Sequence, residues 1–575
     1  MSRIARVIPD VTGLDKEFDY LVPEGLDAPA GTRVRVPLHG RRVAGWVVDV
    51  DPPDAVDVAK LRPLVAVSSR GPTPEMIELA RWAAVRWAAA RLRPFLVTAS
   101  PPTNVIGLPA PRRTGLAPSP SHDGAARLLA AGGGMLRLPP ADDVVPVLLA
   151  TVARGPVLTV VPGVDLARLL ATRLRRAGLT VALHPQEWAA AAAGVDVVIG
   201  ARAAVWAPCP DVAAIVVVDE HAESLQEERS PTWHARDVAV ERARRAGVPV
   251  LLVSPCPSVN GLAAVDDRLE RPAIDDERAG WPIVELVDRS RDEPWKTSLV
   301  TSPLIAHLRS DRIVVCVHNT PGRARILACR ACRTLARCAV CDAAVGLDDD
   351  GALACRRCGT ARPPVCLHCG ASSFANLRPG VTRLREELEA AAGRPVVAVT
   401  GGDDDPPARA GIYVGTEAVL HRVPRADVVA FLDIDAELLA PRYRAAEQAM
   451  ALLVRGARLT GGRRHGGRLL VQTFLPRHEV LQAALLADPG RLVEPERAQR
   501  RLLGLPPFAA LASISGAGSD EFVAALRMAD GIDVGGGEGR WTARAATWER
   551  LGRAINATPR PKGSRLRVEV DPPRQ

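Results

Sequence analysis

Lysine is nearly missing from this chain. Of 575 residues only Lys16, Lys60, Lys296 and Lys562 are lysine, and arginine supplies the other positive charges. Those four follow Asp15, Ala59, Trp295 and Pro561, so none can complete Gly-x4-Gly-Lys-Ser/Thr. That loop cradles phosphates with its backbone, reaches them with its lysine and holds magnesium with its hydroxyl. Its absence argues against a standard nucleoside-triphosphate motor. Aromatic residues are also scarce, at 3%. No stretch supplies the roughly 20 uninterrupted apolar residues that a membrane helix needs. The first residues, MSRIARVIPDV, hold no apolar core of signal-peptide length, so a cytoplasmic protein is expected. The net charge of +9 permits nucleic-acid binding without demanding it.

Cysteine is plentiful in one place only. Eight of the eleven cysteines lie between Cys329 and Cys369, as four C-x2-C pairs: Cys329/Cys332, Cys338/Cys341, Cys355/Cys358 and Cys366/Cys369. Each pair sets two thiolates on one small arc, half of a tetrahedral metal site, so four pairs make two closed sites. Disulfides are the alternative in an oxidising compartment, and tetrahedral sulfur also suits iron. Two structural zinc ions are the expectation, folding an insert with too little apolar sequence to fold alone. Spacing permits sequential or nested pairing. We write the sites as nested, Cys329, Cys332, Cys366 and Cys369 for the first and Cys338, Cys341, Cys355 and Cys358 for the second. His368 lies inside the last pair, but four thiolates already fill each site.

Along the chain, RIARVIPDV, EFDYLVP, RVRVPL and VAGWVVDV alternate as short strands separated by turn residues, which predicts a small β-barrel or sandwich. Residues 74–98 read as one helix opening at Pro74, with Trp82 and Trp87 in the core. Residues 101–123 are a Pro/Ser/Gly linker. From 124 to 265, apolar strands alternate with helical stretches in the rhythm of a parallel sheet. A second α/β lobe runs from 266 to 475, interrupted by the cysteine insert at 329–369, and residues 476–575 form a last α/β piece.

ARVIPDVTGLDKEFDYLVPEGL, GTRVRVPLHGRRVAGWVV, KLRPL and TPEMIELARWAA follow one another as in the PriA family of bacterial replication-restart helicases, which the chain resembles over nearly its whole length. The resemblance implies a multidomain α/β fold: a 3′-end DNA-binding domain at 1–100, a linker at 101–123 in place of a winged helix, and two degenerate RecA-like helicase lobes. The first lobe spans 124–265. The second starts at 266–328 and resumes at 370–475 after the zinc insert, and a C-terminal domain follows. The implied 3′-end pocket falls on Phe18, Asp19, Gly40 and Arg62, with Asp19 accepting the 3′-hydroxyl and Phe18 stacking on the terminal base.

The same resemblance places a Walker B remnant at Asp219 and Glu220. The region that should hold the phosphate loop reads GGGMLRLPPADDVVPVLL, without lysine. The arginine-finger region is scrambled to VRGARLTGGRRHGG, leaving Arg455, Arg458, Arg463 and Arg464 as a basic patch. The expected function is recognition of abandoned forks with a free 3′ end and assembly of a primosome for helicase loading, without unwinding. The expected partners are forked DNA, single-strand-binding protein and helicase-loading proteins near the nucleoid, with ATP and magnesium left in doubt. An active 3′→5′ helicase with an altered nucleotide site, and a zinc scaffold without a DNA role, are the alternatives.

Overall fold

The computed structural model describes residues 3–14, 16–115, 122–292, 298–318, 327–348, 351–355, 358–376, 381–399 and 411–573. Part of the expected linker (116–121) and residues 349–350 of the expected cysteine insert lie outside them.

The N-terminal strands form one antiparallel sheet in the order Phe18–Leu21, Ile4–Pro9, Arg41–Val50, Arg33–Leu38, Ala66–Ser69. Alternation decides which side chains enter it. Ala5, Val7, Tyr20, Val34, Val36 and Val47 make its interior. Residues 62–65, which lead into the last strand, bond both to the first edge strand and to Arg33–Leu38, with Leu21 donating to the Arg62 carbonyl, Leu64 to that of Leu21 and Val65 to that of Arg35. Of the two forms expected, a small β-barrel or a sandwich, the sheet thereby takes the closed one.

The helix expected over 74–98 is broken. It runs Pro74–Arg86, stops, and resumes as Arg93–Ala99. Ala88 adopts φ +48 in the gap, and Pro94 opens the second helix because proline has no N–H for a helix interior. Trp87 is fully buried, with Trp82 edge-on to it at 5.4 Å. The linker is tied to the domains on either side. Val105 exchanges hydrogen bonds with Arg70 and Ser69, and Arg112 donates to the Gly194 carbonyl.

The first lobe is a parallel seven-stranded sheet ordered Leu269–Glu270, Gly133–Arg137, Val250–Ser254, Ala214–Val218, Val157–Val160, Val197–Gly200, Val181–His184. Its central strands are buried valine, leucine and isoleucine runs, as a sheet covered on both faces requires. The second lobe is a parallel six-stranded sheet ordered Ile283–Asp288, Arg468–Thr473, Val428–Phe431, Val314–Val317, Ile412–Gly415, Val397–Val399. The cysteine insert leaves it after Val317 and returns before the helix Val381–Ala392.

The C-terminal piece is an antiparallel sheet ordered Asp533–Gly537, Arg540–Ala545, Ala510–Ser515, Arg567–Val570, with helices Ser519–Leu526 and Trp548–Ala557. It shares one apolar core with the first lobe and the N-terminal helices. Gly552 makes the closest approach, since a Cβ there would lie 1.8 Å from the Val85 carbonyl oxygen. Near the chain's end, Asp571 is a joint between domains. Its carboxylate accepts from Tyr443 at 2.8 Å and from Arg444, and its carbonyl accepts from Gln226 at 3.0 Å. No described helix is long and apolar enough to cross a membrane.

Candidate metal, DNA-end and nucleotide sites

The four cysteine pairs are four copies of one local turn. In each, the amide of the first cysteine donates to the carbonyl five residues on, and the amide four residues on donates back to the first cysteine's carbonyl. That fourth residue is left-handed every time: Arg333, Asp342, Gly359 and Gly370, at φ between +56 and +76. The turn aims both sulfurs to one side. Sulfurs then meet in nested fashion, Cys329 to Cys369 and Cys332 to Cys366 at 3.5 Å, Cys338 to Cys358 at 3.4 Å and Cys341 to Cys355 at 3.5 Å. These two clusters, each with its sulfurs within 4.8 Å of one another, could each hold a metal ion.

All eight thiols are free, and the separations exceed the disulfide length of about 2.05 Å. They approach the roughly 3.8 Å edge of a sulfur tetrahedron with 2.3 Å metal–sulfur bonds. Nesting makes Val345–Leu347 and Leu353–Cys355 a hairpin over the inner cluster, while Leu327–Cys329 pairs with Phe374–Asn376 at the base.

The residues expected to form the DNA-end pocket lie along one part of the barrel. Phe18 and Asp19 occupy the strand Phe18–Leu21, and Arg62 flanks that strand through Leu21. Gly40 forms the hairpin tip between Arg33–Leu38 and Arg41–Val50. There His39 and Gly40 both take positive φ, the pattern of a tight two-residue turn. The Tyr20 hydroxyl donates to the Pro37 carbonyl at 3.3 Å and so ties the strand to that hairpin. Arg62 and Gly40 are exposed, and Phe18 is half-buried against the barrel core. The Asp19 carboxylate is already engaged. It accepts two bonds from Arg6 and one from the Val56 amide, with 4% of its side chain exposed. Arg6 first of all, against burial, holds it below the usual carboxylate range.

In a parallel sheet, ligands sit beyond the carboxyl ends of the strands. Two such ends matter in the first lobe, separated by the strand Val250–Ser254. The turn after Gly133–Arg137 reads LPPADDV, so Asp142 and Asp143 stand in the turn where a phosphate loop carries its lysine. Asp219 and Glu220 directly follow Ala214–Val218, as expected of a Walker B pair.

Both acids are committed. Burial would raise Asp219, but Arg458 from the second lobe grips both its oxygens, at 2.5 and 2.7 Å, and holds it low. Glu220 is fully buried. It accepts from the Ser258 amide at 2.8 Å, the Ser258 hydroxyl at 2.9 Å and Arg236 at 3.2 Å, and burial pushes it up. Three of the four arginines of the expected basic patch are spent on ion pairs, while Arg463 is exposed. Arg455 pairs with Glu417, Arg458 with Asp219 and Arg464 with Asp142. The sequence reading missed these partners, and it missed the buried pair of Arg137 with Glu277 at 2.7 Å. Only the Arg464 pair had a signal in the sequence, the acidic Asp142 in the turn after Gly133–Arg137.

Residues 6–97 match the family described as the 3′ DNA-binding domain (3′BD) of PriA. The "Probable replication restart protein PriA" of Mycobacterium tuberculosis is 32% identical over 573 residues, covering 88% of this chain and 85% of that protein. The "Replication restart protein PriA" of Bacillus subtilis is 27% identical over 350 residues, covering 56% of this chain and 43% of that protein. Among solved structures, the Escherichia coli DEAH/RHA helicase HrpB aligns with a TM-score of 0.33 at 11% identity, covering 61% of this chain and 42% of that one, too distant to add to the assignment. Sequence relationship over most of both chains is decisive, and this chain belongs to the PriA family of replication restart proteins.

Proposed function

We propose that this protein recognises abandoned replication forks by their free 3′ end and branched shape, and serves as a platform for primosome assembly and helicase loading without unwinding DNA itself. The observation that carries this reading is the turn Leu138–Val144, which offers two aspartates where a motor needs a lysine to reach phosphates. The match of residues 6–97 to a 3′ DNA-binding domain favours a DNA role over a scaffold without one.

Zinc is the metal best suited to two closed four-thiolate clusters, which leave no ligand position for water and so no catalytic role. Cys329, Cys332, Cys366 and Cys369 would hold one ion, and Cys338, Cys341, Cys355 and Cys358 the other. Each ion would fasten the insert to itself. The Phe18, Asp19, Gly40 and Arg62 region would receive the 3′ end. Arg62 would supply phosphate attraction there, and the Phe18 ring a stacking face. Asp19, held in place by Arg6 and the Val56 amide, would accept the 3′-hydroxyl at the acceptor position left on its Oδ1. A cytoplasmic, nucleoid-associated location and contacts with single-strand-binding protein and helicase loaders follow from this reading.

The test compares forks ending in a 3′-hydroxyl with forks ending in a 3′-phosphate, and measures ATP turnover on the same DNA. Tighter binding to the hydroxyl end with no fork-stimulated turnover is expected. Equal affinity for both ends overturns the end-recognition reading, and fork-stimulated hydrolysis overturns the loss of the motor.

A further inference from the structure

The cleft between the two lobes is bridged by charge from both sides. In a two-lobe motor the bound nucleotide is the bridge that brings the lobes together. Here each wall supplies the other's counter-ion. Arg458 lies at the end of the helix Ala445–Thr460 in the second lobe, and its two terminal nitrogens meet the two oxygens of Asp219 in the first. This fork-to-fork geometry fixes angle as well as distance. Asp219 adopts φ +52, which turns its carboxylate out of the strand toward the cleft. Six residues further on, Arg464 pairs with Asp142 in the turn that replaces the phosphate loop.

Backbone packs at the same place. Ala141 donates to the Gly280 carbonyl at 3.1 Å, and Arg463 donates to that of Trp281 at 2.7 Å. A Cβ on Gly280 would fall 2.3 Å from Pro139, and one on Gly462 would fall 2.3 Å from the Ala279 carbonyl oxygen. Arg137 closes the bottom of the cleft. It is 6% exposed and lies between Glu277 of the interlobe segment at 2.7 Å and Asp488 at 2.9 Å.

We propose that Arg458–Asp219, Arg464–Asp142 and Arg137–Glu277 form an electrostatic latch that holds the two lobes together without nucleotide, the Arg458 guanidinium standing where a metal–nucleotide complex would neutralise Asp219. This rests on the reading that the motor is lost, and extends it. The lobes keep one relative arrangement, set by the protein's own charges rather than by an ATP cycle. Arg458 keeps 46% of its side chain exposed and Arg464 keeps 47%. Salt therefore reaches these two pairs, while the Arg137 pair is shielded.

Hydrogen exchange on the full-length protein tests the latch at the amides of residues 138–144 and 456–466. Arg458→Ala and Asp219→Asn should each speed exchange there by about tenfold, and the double variant by no more than either single one, because both remove the same interaction. Raising salt from about 0.1 to 1 M should speed exchange at these segments in the unaltered protein, and not in the double variant. Magnesium-ATP should change neither segment.

Additive effects of the two substitutions, exchange indifferent to both, or protection of 138–144 by magnesium-ATP would each overturn the latch. The salt series on the unaltered protein decides the matter should a variant fail to fold. End preference on forks is measured separately, so its loss with an intact latch would refute only the fork-recognition reading.

Discussion

Arg6 and Asp19 face each other across the first two strands of the barrel, joined at 2.8 and 3.2 Å, while Arg6 reaches on to Asp54 at 2.8 Å. With 16% of the Arg6 side chain and 4% of that of Asp19 exposed, breaking the pair should cost about 2 kcal/mol, between the surface and buried ranges. Asp19→Ala should lower the unfolding midpoint of the N-terminal domain by that amount. Arg62→Ala, at an exposed position, should leave stability within about 0.5 kcal/mol and reduce affinity for forks. The Asp19 carboxyl is held below its usual range in the folded protein. Its stabilising share is therefore present above the usual carboxylate range, from about pH 5 upward, and is lost as acid protonates it. Equal thermal stability of Asp19→Ala and the parent would show the pair to be dispensable.

Nesting of the metal sites is decided by counting ions. Cys332→Ser combined with Cys366→Ser strikes one cluster when the pairing is nested and two when it is sequential. Native mass spectrometry should find one ion left in that double variant and none in Cys332→Ser combined with Cys341→Ser. The reverse counts would establish sequential pairing. Complete chelation should unfold the insert, because ions bound there would supply its folding free energy, while fork-end binding by the barrel should persist.

Glu220 serves as a buried hub. Arg236, only 3% exposed beside it, keeps Asp237 as a partner, but Glu220→Ala leaves the buried Ser258 amide without its acceptor and should cost about 2 kcal/mol, read as a lowered unfolding midpoint. Fork binding per folded molecule should be unchanged. A variant as stable as the parent would remove the structural role.

Asp435 should make the second lobe sensitive to pH near neutrality. Burial, and then the neighbouring Asp433, push its carboxyl up to about 7, against the bonds from Thr473 and the Phe474 amide. The folded state thus holds a proton that the unfolded chain releases near pH 4. Stability contributed by this group is full below that point and is lost as pH rises toward 7. Asp435→Asn should flatten the dependence over this window, and an unaltered slope would assign it to another group.

What the sequence disclosed was local. Four C-x2-C turns declare themselves by spacing, the buried valine strands by their runs, and the missing phosphate-loop pattern by an absent lysine. What it concealed depended on register and distance. Asp19 faces Arg6 only because two strands pair in one alignment. Arg458 meets Asp219 across 239 positions, and nothing in either segment names the other. The break between Arg86 and Arg93 was marked by Pro94, but the alanine-rich stretch before it masked the stop. Nesting could not be chosen from spacing, because either pairing closes loops of permissible length.

Asp571 gives the far end of the chain an unexpected weight. It lies within a few residues of position 575, yet Tyr443 and Arg444 of the second lobe and Gln226 of the first all bond to it. Trimming a handful of residues from that side would therefore disconnect parts of the molecule hundreds of positions upstream.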